Sequence, residues 1–250
     1  MDGLKTNPIQ IQGNGTGGIF INNQSSAILI LKHVNVSRLA TTSSALRKYS
    51  GAINGYGGSF NIDHLKIDGC ESEDQLNLVN TKIQIDGLFI SNAPSDAFDC
   101  DFCIGNAANL RFDYIGGDGL GVSGSNLRIT AIEAFEVNDK ALSVGERSNL
   151  IVSEATFDNV GTGVAVKDAS TVTIDKIKMQ NIRHDAFMTY VKKPFFIGKT
   201  ILKVSKFDRT GFVGKSVCIR EGNTHLTLNG QLCEISELNV DELYKDRMKK

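Results

Sequence analysis

Apolar and polar residues alternate in short bursts along this chain, and the bursts recur at a fixed interval. Asp96-Ala-Phe-Asp-Cys-Asp, Asp118-Gly-Leu-Gly-Val-Ser, Lys140-Ala-Leu-Ser-Val-Gly and Thr162-Gly-Val-Ala-Val-Lys start 22 residues apart. A fifth copy, Asp185-Ala-Phe-Met-Thr-Tyr, follows 23 residues later. Within each copy the side-chain period is two. Phe98, Leu120, Leu142, Val164 and Phe187 therefore form one inward column, and Cys100, Val122, Val144, Val166 and Thr189 the next. A second strand is predicted at Leu127-Arg-Ile129, Leu150-Ile-Val152 and Val172-Thr-Ile174. A third is expected around Ile132/Ala134, Ala155/Phe157 and Ile177/Met179.

Three short strands per coil, punctuated by Gly, Asn, Asp and Ser, predict an all-β fold: a right-handed parallel β-helix with three parallel sheets. The leucine-rich alternative lacks its Leu-x-x-Leu-x-Leu pattern and asparagine ladder here. The expectation is one domain over residues 1–250, with regular coils at 53–195, an insertion near 37–50 and an irregular C-terminal cap at 196–250. The charged residues from Asp241 onward read as a solvated end. The chain starts in mid-solenoid, as a piece of a longer protein would. Edge strands at both ends are open to pairing with another copy, and the sequence sets no oligomeric state.

Composition narrows the partners. Charged residues make up 22% of the chain but the net charge is only −1, so the basic footprint of a nucleic-acid binder is missing. No apolar run approaches the roughly 18 residues of a membrane-spanning helix, so membrane insertion is not expected. Five cysteines, Cys70, Cys100, Cys103, Cys218 and Cys233, are an odd number scattered through strands and read as packing thiols. Cys100 and Cys103, three apart on a strand, are expected to face opposite ways.

The outward columns carry the candidate chemistry. Asp96, Asp118, Lys140, Thr162 and Asp185 form one column; Asp99, Gly121, Ser143, Ala165 and Met188 the second; Asp101, Ser123, Gly145, Lys167 and Tyr190 the third. Equivalent residues of neighbouring coils lie roughly 4.8 Å apart, so Asp96, Asp99, Asp101 and Asp118 crowd onto one patch beside Lys140 and Lys167. Carboxylates at that density raise one another's pKa. Asp96 and Asp118 suit an acid and base pair on a glycosidic bond, and Lys140 and Lys167 suit uronate binding or proton abstraction. Asp99, Asp101, Ser123, Ser143 and His184 are candidate contacts, with Tyr190 placed to stack a sugar ring. Asp99, Asp101 and Asn77 also offer the start of a calcium site. The alternative is a set of polar ladders that brace the coils. His33, His64 and His225 read as structural.

Five motifs carry a resemblance: Ser72-Glu-Asp-Gln-Leu-Asn-Leu78, Ser95-Asp-Ala-Phe-Asp-Cys-Asp-Phe102, Gly117-Asp-Gly-Leu-Gly-Val-Ser-Gly-Ser125, Asp139-Lys-Ala-Leu-Ser-Val-Gly-Glu146 and Lys167-Asp-Ala-Ser170. With Lys192-Lys-Pro-Phe195, they resemble bacterial right-handed parallel β-helix repeat proteins found in cell-surface polysaccharide settings and attached to CotH-like kinase domains. The resemblance spans about residues 8–245 and implies the fold together with a polysaccharide partner. That family usually has an acid where this chain has Gly121. By repeat position the chain is also similar to polygalacturonases, Asp96, Asp118, Lys140 and Lys167 standing where those enzymes carry active-site residues. Gly117, Lys140 and Ala165 depart from their pattern. The resulting expectation is a carbohydrate-active protein that binds and modifies an acidic or cell-surface polysaccharide by hydrolase, lyase or epimerase chemistry, at an extracellular or surface location. The alternative is a non-catalytic adhesion or structural module.

Overall fold

A computed structural model describes residues 1–23, 27–41, 43–44, 47–240 and 242–243. It is a parallel β-solenoid of about nine turns with about 23 residues per coil. Short strands, among them Asp74–Val79, Asp96–Asp101, Leu120–Ser123, Lys140–Gly145, Thr162–Lys167 and Asp185–Tyr190, build a nine-stranded parallel sheet. Long strands, among them Lys82–Ala93, Ile104–Ile115, Asn126–Val137, Asn149–Asp158 and Thr171–Ile182, build most of an eleven-stranded sheet, parallel except for its last pair, His225–Leu228 with Gln231–Leu232. The register is the expected one, with Phe98 opposite Leu120, Leu120 opposite Leu142, Leu142 opposite Val164 and Val164 opposite Phe187. These five side chains are at most 1% exposed. Each contributes on the order of 2 kcal/mol by burial.

The second and third strands expected in each coil are one strand bent in the middle. At His33, His64, Gly87 and Asn109 the chain adopts a left-handed conformation for a single residue. Pairing skips that residue and resumes, as from Lys32 opposite Asp63 to Val34 opposite Leu65. One left-handed residue is enough to turn a corner without breaking the ladder.

Regular coiling extends beyond 53–195 at both ends. Ile9–Gln12 pairs with Ile28–Ser37, and Ile19–Asn22 with Gly51–Tyr56. Past the expected limit, Ile201–Val213 and Ser216–Arg220 continue both sheets. The segment at 191–200 lengthens the spacing between Thr171 and its partner Ile201 and hides this coil from a 22-residue period.

The cysteine expectation is overturned. Cys100 and Cys103 are disulfide-bonded, as are Cys218 and Cys233, leaving Cys70 as a buried free thiol. The argument from strand alternation failed because the strand ends at Asp101 and Phe102 takes φ +54°, which swings Cys103 back to the interior side occupied by Cys100.

Cys103 also belongs to a buried column at the next corner, Thr81, Cys103, Ser125, Ser148, Ser170, Thr200 and Thr224. Its hydroxyls satisfy the backbone where the chain turns. The Cys103 amide donates to Ser125 Oγ (2.7 Å), that of Ser125 to Ser148 Oγ (3.1 Å), and that of Ser148 to Ser170 Oγ (3.2 Å). Ser148 Oγ in turn donates to the Gly145 carbonyl at 2.6 Å. The column does the work of the asparagine ladder that the sequence lacks. Removing one hydroxyl leaves a buried amide without a partner, which costs about 1–3 kcal/mol. Ser148→Ala is therefore expected to lower unfolding free energy by that amount in chemical denaturation. A loss under about 0.5 kcal/mol would show that the column is not bracing the corner.

Candidate functional site

The outer face of the short-strand sheet carries the predicted columns in the predicted order. Asn77 is opposite Asp99, Asp99 opposite Gly121, Gly121 opposite Ser143, and Ser143 opposite Ala165. The side chains on this face divide into an acidic half and a basic half.

In the acidic half, burial is the largest influence on each carboxyl. It raises Asp99 to about 8, helped by the negative charges of Asp101, Asp74, Asp96 and Asp118. Asp96 rises to about 7 through burial and its neighbour Asp118, against the opposing pull of the Asp118 amide and Lys140. Asp74 rises to about 6, mainly by burial. Burial and Glu146 also raise Asp101, against Ser123 and Lys193. Two glycines make room for this density. A Cβ on Gly121 would lie 2.7 Å from Asp99 Oδ1, and one on Gly117 would collide with Asp96 Oδ1. The space left at Gly121 thus houses the carboxylate of Asp99.

In the basic half, burial disfavours the charge on Asp118, but Lys140 and Lys167 outweigh it and hold the carboxyl below its usual range. Lys140 Nζ donates to Asp118 Oδ1 (2.9 Å) and Oδ2 (3.2 Å) and to Asp139 Oδ2 (2.7 Å). Lys167 donates to Ser143 Oγ at 2.7 Å, its methylenes resting over Gly145. Burial and the nearby Lys140 bring its pKa down to about 8. Asp168 accepts the amides of Lys192 and Lys193, each at 2.7 Å.

Asp96 and Asp118 also brace the coils. Asp96 Oδ1 accepts the amide of Asp118 (2.7 Å), and Asp118 Oδ1 accepts that of Lys140 (3.0 Å).

One expected contact is corrected. Tyr190 is fully buried and has no face free for a sugar, because the C-terminal segment crosses the outside of the sheet. Leu238, Val240 and Leu243, together with Ile219, pack on Ala165, Met188 and Tyr190, so the segment leading into the tail is a strap. The expectation of a solvated end from Asp241 to Lys250 otherwise lies mostly outside the described residues. Ser143 is also nearly buried, its hydroxyl engaged by Lys167. His184 lines a cleft of about 760 Å³ beneath the strap, together with Asp139, Asp185, Lys215 and Leu238.

Sequence reasoning missed the other end of the face. Phe20 and Tyr56 lie on it two and one coils before Asn77 and Val79, and Tyr49 from the insertion joins them. Phe20 and Tyr49 stack with centroids 4.3 Å apart, and Tyr56 lies 5.5 Å from Phe20 and 6.0 Å from Tyr49. Phe20 is 39% exposed, so this platform meets solvent. The column Phe20, Asn54, Asn77, Asp99 places it three strand spacings, roughly 14 Å, from the acidic patch. The face thus runs from an aromatic platform through carboxyls and lysines to a strap.

Among the described residues, His33, Asp63 and His64 form a group of His and acidic side chains whose ligand atoms lie within 4.8 Å of one another. Asn77 donates to Ser50 Oγ at 2.5 Å, while its Oδ1 is buried without a partner. Set against models of known families, characterised proteins and solved structures, the chain has no significant match. What defines it is the fold and this face: a parallel β-solenoid with a two-toned polar groove.

Two predictions follow from the charges and the strap. Between pH 4 and 8 the folded state holds more protons on Asp96 and Asp99 than the unfolded chain does, so their contribution to stability falls as pH rises. Lys167 works in the opposite sense above its folded value of about 8, because the folded state then binds fewer protons than the unfolded one. The patch is therefore least favourable near pH 8, and Asp99→Asn should flatten the decline in thermal midpoint from pH 5 to 8; an unchanged slope would refute the shift. The Cys218–Cys233 bond and the Arg220 Nε donation to the Cys233 carbonyl (2.8 Å) fix the root of the strap. Cys218→Ser/Cys233→Ser should cost up to about 3 kcal/mol and admit protease to residues 234–243 first, whereas cleavage elsewhere would show that the bond does not hold the strap.

Proposed function

We propose that this groove binds an acidic polysaccharide and acts on it. The observation that carries the reading is the separation of proton affinities across one face. Asp99, raised to about 8, keeps its proton near neutral pH and Asp96, raised to about 7, titrates there, while Asp118 is held ionised and Lys167 is brought to about 8. Neighbouring groups pushed in opposite directions suit acid and base roles in the same pH range. A protonated Asp99 or Asp96 can donate to a leaving glycosidic oxygen, and neutral Lys167 can accept the proton next to a uronate carboxylate. Lys140, already bound to Asp118 and Asp139, supplies positive potential. The Phe20, Tyr49 and Tyr56 platform takes over the stacking role first expected of Tyr190. Two disulfides agree with an extracellular or surface location, where oxidised cysteines persist.

A second reading has its own support. The carboxylates of Asp96 and Asp118 accept amides of the following coils, as a purely structural ladder would. On this reading the groove binds without catalysing and the chain is a surface or adhesion module, with calcium neutralising the acidic half.

The two readings separate in one experiment. The protein is incubated with a panel of acidic and neutral polysaccharides, with and without calcium, and assayed for new reducing ends, unsaturated uronates and epimerised residues. Catalysis predicts a product that Asp99→Asn lowers at least about 100-fold with little loss of thermal stability, in the range of a lost general acid. Tyr49→Ala should weaken retention on the same polymer without abolishing turnover. Binding without product across the panel would favour the adhesion module; neither binding nor product would remove the polysaccharide reading.

A further inference from the structure

On the opposite, long-strand sheet, the corner residues of two successive coils are both histidines. Lys32 is opposite Asp63 and Val34 opposite Leu65, which stacks His33 directly under His64. Their ring centroids are 4.9 Å apart, and Asp63 Oδ1 lies 2.5 Å from His64 Nδ1. One ligand atom from each of His33, Asp63 and His64 falls within 4.8 Å of the others.

Strand alternation alone forbids this meeting. Asp63 and His64 are sequence neighbours and would face opposite ways on a regular strand. The left-handed backbone at His64, φ +58°, turns its ring back toward Asp63, and φ +45° at His33 does the same one coil below. In the following coil the corner is Gly87, where a Cβ would come only to ordinary contact distance, 3.4 Å, from the His64 ring. With no side chain there, nothing from that corner crowds the His64 ring. Asp86, which follows Asp63 in its column, is engaged with Asn109 at 2.8 Å and leaves Asp63 as the carboxylate of the cluster.

We propose that His33, Asp63 and His64 bind a divalent transition ion of the zinc class, with the remaining coordination position open to water. Two imidazoles and one carboxylate favour such an ion over calcium or magnesium, which take oxygen ligands. Tetrahedral coordination at roughly 2.0–2.2 Å would bring the ligand atoms to about 3.4 Å from one another. Ligation exchanges the Asp63–His64 contact for bonds to the ion, and the side chains of Asp63 and His64 are 42% and 45% exposed. The ion would join adjacent coils near the N-terminal end of the solenoid. It is independent of the polysaccharide groove, which occupies the other sheet.

The test uses tag-free protein stripped with chelator and titrated with Zn²⁺ by calorimetry and with Co²⁺ by visible absorption, whose d–d bands report low-coordinate geometry. One equivalent should bind, with a rise in thermal midpoint, and weaken as pH falls from about 7.5 to 5.5 because the imidazoles must be unprotonated. His33→Gln and His64→Gln should each reduce affinity at least about tenfold, Asp63→Asn should do so with the histidines intact, and Cys70→Ser should leave it unchanged. Variants that keep affinity within about threefold of the parent, or a parent that binds no stoichiometric Zn²⁺ or Co²⁺, would overturn the assignment. If a histidine variant does not fold, the Asp63→Asn comparison and the cobalt spectrum of the parent decide the question.

Discussion

Everything in this molecule depends on one geometric constraint: the coils stack at a single strand spacing, so each side chain has its counterparts roughly 4.8 Å above and below. For apolar positions the constraint is favourable, because columns such as Phe98, Leu120, Leu142 and Val164 interlock through a continuous interior. For polar positions it forces a choice. A hydroxyl can repeat, since it both donates and accepts, and the column from Thr81 to Thr224 uses this. A carboxylate cannot repeat without penalty. The chain interrupts its acidic columns with Gly121, Ser143 and Lys140, and where Asp74, Asp96 and Asp118 do follow one another, burial and repulsion raise the pKa of Asp96.

The same constraint explains what could be read from the sequence. Columns are visible as a period, so the solenoid, its inward residues and the register of the acidic patch were all legible from the 22-residue spacing. Departures from regular strand geometry were not. Left-handed residues at corners redirect side chains against alternation, which concealed the disulfide closed by Phe102 and the meeting of Asp63 with His64. The aromatic platform is assembled from Phe20 and Tyr56 on either side of an insertion and Tyr49 within it, which the period does not span. The strap did leave a signal. Leu238, Val240 and Leu243 are apolar residues set among acids near the C-terminal end, a pattern that asks for an apolar surface, and Ala165, Met188 and Tyr190 are apolar residues on an outward face.

Taken together, strap and platform determine which part of the polar face is open to solvent. The strap covers the coils of Ala165, Met188 and Ile219, where the outward residues are apolar and would otherwise be wet. The coils of Asp96, Asp99, Asp101 and Ser123 keep partial exposure. At the far side, Asp74 and Asn77 are buried next to Ser50 of the insertion. The accessible surface is thus shorter than the columns that line it, and its centre falls on Asp99 and Gly121. That centre is also where a carboxyl with the most strongly raised proton affinity of the patch occupies space left by a missing side chain. Exposure and proton affinity thus converge on Asp99 rather than on Asp118, whose charge is already matched by Lys140 and Lys167. The charge of Asp118 is thus matched within the fold, whereas Asp99 keeps its proton at a partly exposed position.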